Sequence, residues 1–229
     1  MEFVEKLISS IIENRHMPKV QVEREISPIL DIFIEDILES ASKFNQNIDK
    51  GTYRFIAPEF PLQSLKLENN KKTNRSTNID YLLLNEDTQD LYFVELKTDS
   101  SSFKYEQFEI YEDLISTKSL MPNELYDFLS KSLTSTKYQN LKKFILEKMN
   151  FNKDSKENPF DNIKNIKLVY IAPRKMFERQ WKGKNNRAIR SIENNHSIIN
   201  FHDFKNIEVS KYKDEWKYIR KYLAQLDKN

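Results

Sequence analysis

The chain of 229 residues has no cysteine, two glycines and three histidines. Without thiols there is no disulfide framework, no thiolate zinc site, no iron–sulfur cluster and no cysteine nucleophile. With imidazoles only at His16, His196 and His202, a multi-histidine metal site is set aside, and any metal is expected on oxygen ligands. Two glycines are too few for a phosphate-cradling glycine loop. No apolar run approaches the roughly 20 residues that a membrane span needs. The start Met1-Glu2-Phe3-Val4-Glu5-Lys6 lacks the basic residues and cleavage site of a signal peptide, so the expected location is the cytoplasm.

What is present fits a folded domain with a heavily charged surface. Charged residues make up 31%, yet aromatic content is 12%, too rich for a disordered chain. Net charge is +2, so no global field argues for nucleic acid. The distribution is uneven: between Lys164 and Arg190 there are nine Lys or Arg residues and one acid, Glu178. Such a stretch can contact phosphates, although on its own a solvated face is the favoured reading.

Periodicity gives the elements. Phe3, Val4, Leu7, Ile8, Ile11 and Ile12 stand at helical spacing, in a helix expected to end near Pro18; packing on the core is favoured over dimerisation. Ser27-Pro28 reads as the N-cap and first position of a helix that runs through Ile29, Leu30, Phe33, Ile34, Ile37 and Leu38 to about Phe44. Tyr53 to Ala57 reads as a strand closed by Pro58 and Pro61, with Leu62 to Leu67 as a possible extension. Ile79 to Leu84 and Leu91 to Lys97 read as two strands joined by the polar run Asn85 to Asp90. A helix follows over Phe103 to Thr117. Helices near 123–133 and 137–149, a polar linker Phe151 to Asn162, strands at Ile166 to Ala172 and Ser197 to Phe201, and a closing helix over Asp214 to Leu226 complete the pass.

The candidate chemistry lies on the second and third strands. Side chains alternate along a strand, so Phe93, Glu95 and Lys97 share one face. The run Leu91-Tyr92-Phe93-Val94 marks a strand buried on both sides, where a carboxylate and an ammonium are costly unless paired or coordinated. If Leu84 opposes Leu91, Asp80 falls opposite Glu95. Two carboxylates there repel, and a divalent cation such as Mg²⁺ or Mn²⁺ relieves that. A plain salt bridge of Lys97 with Glu95 or Asp80 is the simpler alternative. Three further acid-x-Lys triplets, Asp154-Ser155-Lys156, Asp203-Phe204-Lys205 and Glu215-Trp216-Lys217, reflect charged composition. Gln107 and Tyr111, four residues apart on the next helix, face the same way.

Asn78-Ile79-Asp80, then Phe93-Val94-Glu95-Leu96-Lys97-Thr98-Asp99, then Gln107-Phe108-Glu109-Ile110-Tyr111 together resemble the PD-(D/E)XK nuclease superfamily, most closely its RecB-like branch with Asp, acid-x-Lys and Gln-x-x-x-Tyr motifs. The likeness is specific over about residues 78–111 and extends loosely over 27–172. Ile79 stands where the family has proline, Asn78 where it has a small residue, and Thr98-Asp99 where many members have Thr-Gly. The resemblance implies an α/β, restriction-endonuclease-like core (α-β-β-β-α-β) with a mixed central sheet flanked by helices. It would form one domain over 1–229, with an N-terminal helical extension 1–26 and a helical insertion at about 118–163.

The implied activity is Mg²⁺- (or Mn²⁺-) dependent hydrolysis of phosphodiester bonds in nucleic acid, with DNA the expected substrate. Asp80, Glu95 and the Leu96 carbonyl would hold the metal. Lys97 would position or deprotonate the attacking water, or stabilise charge on the phosphate. Gln107 would orient the backbone or a bound water, and Tyr111 would brace it or touch substrate. The family often adds a glutamate from the first core helix; Glu35 is the favoured candidate, with Glu39 and Glu25 behind it. Phosphate contacts would come from Lys71, Lys72 and Arg75, and from Arg174, Lys175, Arg179, Lys182, Lys184, Arg187 and Arg190, with Trp181 a candidate for base stacking. The alternative is a catalytically silent relative, the same fold used as a nucleic-acid- or protein-binding module.

Overall fold

The computed structural model describes residues 2–14, 21–63, 67–68, 71–72, 76–116, 125, 136–152 and 156–228. It is α/β, with a five-stranded mixed sheet of order β1-β4-β5-β6-β7 and a separate two-stranded ladder of β2 and β3. The strands are β1 Tyr53–Gln63, β2 Leu67–Glu68, β3 Lys71–Lys72, β4 Ser76–Asn85, β5 Asp90–Leu96, β6 Ile166–Ala172 and β7 Ser197–Asn200. The chain divides into two compact units, one of Thr52–Val94 with Tyr105–Leu168, the other of Met1–Gly51, Glu95–Lys104 and Val169–Asn229. Strands β5 and β6 each run from one unit into the other. Among the described residues no helix is long and apolar enough to cross a membrane.

In the first of these units β4 is paired antiparallel with both β1 and β5. The hairpin between β4 and β5 forms without glycine. Asn85 Oδ1 accepts the backbone N–H groups of Asp87 and Thr88 at 3.0 and 3.1 Å, and Gln89 takes the left-handed conformation at φ 60°. The expected register holds: Leu84 pairs with Leu91, and the ladder continues to Tyr81 opposite Val94. Strand β1 does not stop at Pro58. It runs through both prolines, pairing Pro58 with Tyr81 and Pro61 with Asn78, after a bulge between Phe55 and Ala57. As the terminal strand of the sheet order, β1 can leave its proline nitrogens facing away from the ladder. Helix α4 (Tyr105–Ser116) follows the expected span, and α5 (Thr136–Lys148) packs on β1. Of the expected helix near 123–133 only Leu125 lies among the described residues; it is helical and buried.

In the other unit helices α1 (Glu2–Glu13), α2 (Val22–Asp31) and α3 (Ile34–Ala41) come first. The expectation of one helix starting at Ser27-Pro28 is corrected here. Pro28 sits inside α2, whose apolar residues Val22, Ile26 and Leu30 recur every four positions and are all buried. Lacking an N–H, Pro28 cannot bond the Arg24 carbonyl, and the helix ends three residues later. Tighter i→i−3 bonds from Ile32 and Phe33 turn the chain before α3 begins. Strands β6 and β7 pair in parallel through Val169–Ser197 to Ala172–Asn200. Helices α6 (Arg174–Glu178) and α7 (Gly183–Asn195) connect them. Trp216 on α8 (Lys213–Leu223) centres the core beside Phe33 and Phe204, with ring centroids 4.9 and 5.6 Å away, and its Nε1 donates to the Ile207 carbonyl.

Candidate functional site

Every residue of β5 is buried, and Lys97 just beyond it is 6% exposed. Glu95 is fully buried, and the Lys97 ammonium donates to Glu95 Oε1 in direct contact. The i, i+2 spacing on an extended chain makes this possible: both side chains leave the same face, and the long lysine stem folds back over one residue. The Lys97 amide donates to the Ile171 carbonyl at 2.8 Å, which ties the end of β5 to β6. Burial of such a pair is weak support for stability. Removing two charges from water costs several kcal/mol each, and apolar residues of the same volume often do as well or better.

The following turn is closed by a side-chain device. Asp99 Oδ1 accepts both the backbone N–H and the hydroxyl of Ser101 at 2.6 Å, and the Asp99 carbonyl accepts the Ser102 hydroxyl.

Asp80 is half-buried on β4, one residue before Tyr81 at the end of the β4–β5 ladder. Gln107 and Tyr111 do face the same way, and both turn to one atom. The Tyr111 hydroxyl accepts from Gln107 Nε2 at 2.7 Å and donates to the Asn78 carbonyl at 3.2 Å, and Gln107 reaches that carbonyl at 3.4 Å. Tyr111 is fully buried. The pair therefore grips the β4 backbone two residues before Asp80.

Two residues join this network without a signal in the sequence, Asn78 and Glu59. Glu59, between Pro58 and Pro61, lies across from Asp80 between the ladder pairs Pro58–Tyr81 and Phe60–Ile79. It adopts φ 47°, and its carboxylate accepts Asn78 Nδ2 at 3.1 Å. An aspartate and a glutamate opposed on one face would repel. The left-handed kink and the bond to Asn78 give Glu59 a partner of its own.

The glutamates expected from the first helices belong to the same unit as Glu95 and Lys97. Glu35 on α3 and Glu25 on α2 are exposed, and Glu39 is half-buried. Among the described residues no three or more acidic or histidine side chains cluster tightly enough to hold a metal ion by themselves.

The basic candidates divide. Lys71 and Lys72 form β3, their side chains outside the described residues, as is Arg75. Arg174, Lys175, Arg179, Lys182, Lys184, Arg187 and Arg190 are all exposed on and around α6 and α7. Their segment is fixed at its start by Asp227, whose carboxylate accepts the backbone N–H groups of Arg174 and His202. Burial raises the Asp227 carboxyl above its ordinary range, against the lowering effect of those two donors, and the Asp203 charge raises it further. Trp181 is a packing residue here. Its Nε1 donates to the Met176 carbonyl at 2.7 Å, Phe103 meets it edge-on at 5.7 Å, and the Arg179 guanidinium lies over its ring at 5.1 Å. No family model, curated protein or solved structure matches the chain.

Proposed function

We propose that this chain is a metal-dependent nuclease of the PD-(D/E)XK type, hydrolysing phosphodiester bonds of nucleic acid on a restriction-endonuclease-like core. The observation that carries the reading is the Glu95–Lys97 pair: two opposite charges buried in direct contact, just after the apolar run Leu91 to Val94. A stability argument alone does not keep them there. Chemistry that needs a carboxylate ligand beside a cation does.

On this reading Asp80 and Glu95 would serve as a hard oxygen pair. One or two carboxylates completed by water and substrate phosphate are what Mg²⁺ ordinarily takes from a protein. The Leu96 carbonyl is the third oxygen offered. When bound, the metal activates water and stabilises charge on the phosphate. Glu95 would be the ligand offered to the cation, and the Lys97 ammonium beside it would position the attacking water or neutralise a phosphate oxygen. Gln107 and Tyr111 hold β4 so that Asp80 keeps its place without touching substrate. Glu35, exposed on α3, is assigned no role.

The binding-module alternative expects strand binding without metal-dependent cleavage. The test is a cleavage panel of circular single-stranded, plasmid and linear DNA and of RNA, with Mg²⁺, Mn²⁺ or EDTA. A Glu95→Leu/Lys97→Met double variant, which removes both charges together, is run beside it. Metal-dependent cleavage by the native chain and none by the variant is expected. Equal cleavage by both would discard this assignment of the site.

A further inference from the structure

Helix α7 carries two opposed faces. Ala188, Ile189 and Ile192 are buried on one side. At 3.6 residues per turn, Arg187 and Arg190 lie on either side of the line directly opposite, and both are exposed. They are neighbours at i, i+3 and of like charge, a mutually repulsive arrangement on an isolated helix. Among the described residues neither has an acidic partner within ion-pair distance, and the first turn of the helix holds no acid. Lys184 extends the row by one further turn, so the cations span roughly 9 Å at 1.5 Å per residue. That matches two to three phosphate steps of about 3.4 Å along one strand.

Immediately before the helix, Arg179 is held over Trp181, whose indole is fixed by Met176 and Phe103. A guanidinium stacked on a tethered ring has less side-chain freedom to lose on binding than one projecting into water. Phe103 ends the loop that begins at Lys97, and Lys97 bonds β6 through Ile171. The Arg179 stack is therefore built onto the same segments that carry the buried Glu95–Lys97 pair.

We propose that α7 and the Arg179–Trp181 stack form a preorganised, metal-independent grip on the phosphate backbone of a nucleic-acid strand, with Arg179, Arg187 and Arg190 as the residues that hold it. Exposed cations along a helix meet phosphates and give affinity without sequence choice, so the recognition proposed is of backbone and not of sequence. What the held strand is used for rests on the phosphodiester reading above; the grip itself does not.

The test is fluorescence anisotropy of labelled 20-nucleotide single strands and duplexes of unrelated sequence, in EDTA, across a salt series. The native chain should bind all of them with similar affinity, weakening linearly in log–log form as salt rises. Arg187→Glu/Arg190→Glu should weaken binding more than tenfold and lower the duplex salt slope by about two, near 0.9 for each phosphate no longer neutralised. The neutral Arg187→Gln/Arg190→Gln variant should fall between, and unchanged circular dichroism shows that α7 is intact in both. Arg179→Ala should weaken binding severalfold. Equal affinity of native and variant chains, preference for one sequence, or binding of anionic phospholipid vesicles in place of nucleic acid would overturn the proposal. Failure of the nuclease reading shows separately, as a native chain that binds strands in EDTA and cuts none when Mg²⁺ or Mn²⁺ is supplied.

Discussion

Two places in one unit carry charge in opposite ways. At the end of β5, Glu95 and Lys97 are buried and satisfy each other. On α7, Arg187 and Arg190 are exposed, alike in sign, and unanswered among the described residues. Buried charge has to be balanced from within the protein, because the local dielectric makes an orphan ion prohibitive. Exposed charge is balanced by water and salt at little cost, and so is free to be balanced by a partner. The first place is where a mutation should unfold the chain; the second is where it should change only what the chain holds.

The comparison breaks most visibly when one member of the buried pair is removed. Lys97→Ala leaves a carboxylate buried and should destabilise the unit by about 3–5 kcal/mol, read by chemical denaturation. Glu95→Leu/Lys97→Met, which keeps volume and removes both charges, should restore most of that stability while losing metal-dependent cleavage. Wild-type cleavage in the double variant would show that the charges serve packing alone.

A smaller effect is expected in the other unit. Tyr111→Phe removes the hydroxyl that links Gln107 to the Asn78 carbonyl and should cost about 1–2 kcal/mol. On the positioning account it also weakens Mn²⁺ binding, measured by calorimetry, because β4 is held less firmly beside Asp80. Stability lost without any change in Mn²⁺ affinity would reduce Tyr111 to a packing residue.

Asp227→Asn leaves one carboxamide oxygen for the two backbone donors of Arg174 and His202, and should cost about 1 kcal/mol near pH 7. The sign of its pH dependence follows from burial. The folded carboxyl holds its proton more tightly than its ordinary value of 3.8. Its contribution is therefore fully present below the unfolded value and lost as pH rises through the folded one. The variant's deficit should widen as pH falls towards 4, in paired melting curves; a deficit that narrows would assign the opposite shift. Smallest of all, Arg187→Glu/Arg190→Glu should alter stability by no more than about 0.5 kcal/mol, as surface changes usually do, despite its effect on strand binding.

What the sequence made legible was what repeats along an element. The alternation of side chains along β5 put Glu95 and Lys97 on one face, and the polar run Asn85 to Asp90 bounded the hairpin that pairs Leu84 with Leu91. The shared face of Gln107 and Tyr111 was legible for the same kind of reason, and so was the Glu95–Lys97 proximity. Local punctuation misled. Ser27-Pro28 has the look of a helix start, yet the four-residue spacing of Val22, Ile26 and Leu30 outweighs it. Pro58 and Pro61 look like strand terminators, which they are only inside a sheet and not at its edge. Helix α7 is not among the elements read from the sequence, its apolar side being narrow, with only three of its thirteen residues buried. Glu59 could not be found either, because its tie to Asn78 depends on a left-handed kink that nothing in its neighbours announces.

The most direct test of the central claim is Mn²⁺ calorimetry on the native chain, Asp80→Asn and Glu95→Gln, each paired with the cleavage assay. The account expects the native chain to bind Mn²⁺ and cut, and both variants, folded by circular dichroism, to lose binding and cutting together. Mn²⁺ affinity unchanged in both variants, or cleavage that persists without it, would contradict the assignment of Asp80 and Glu95 as the metal-holding pair.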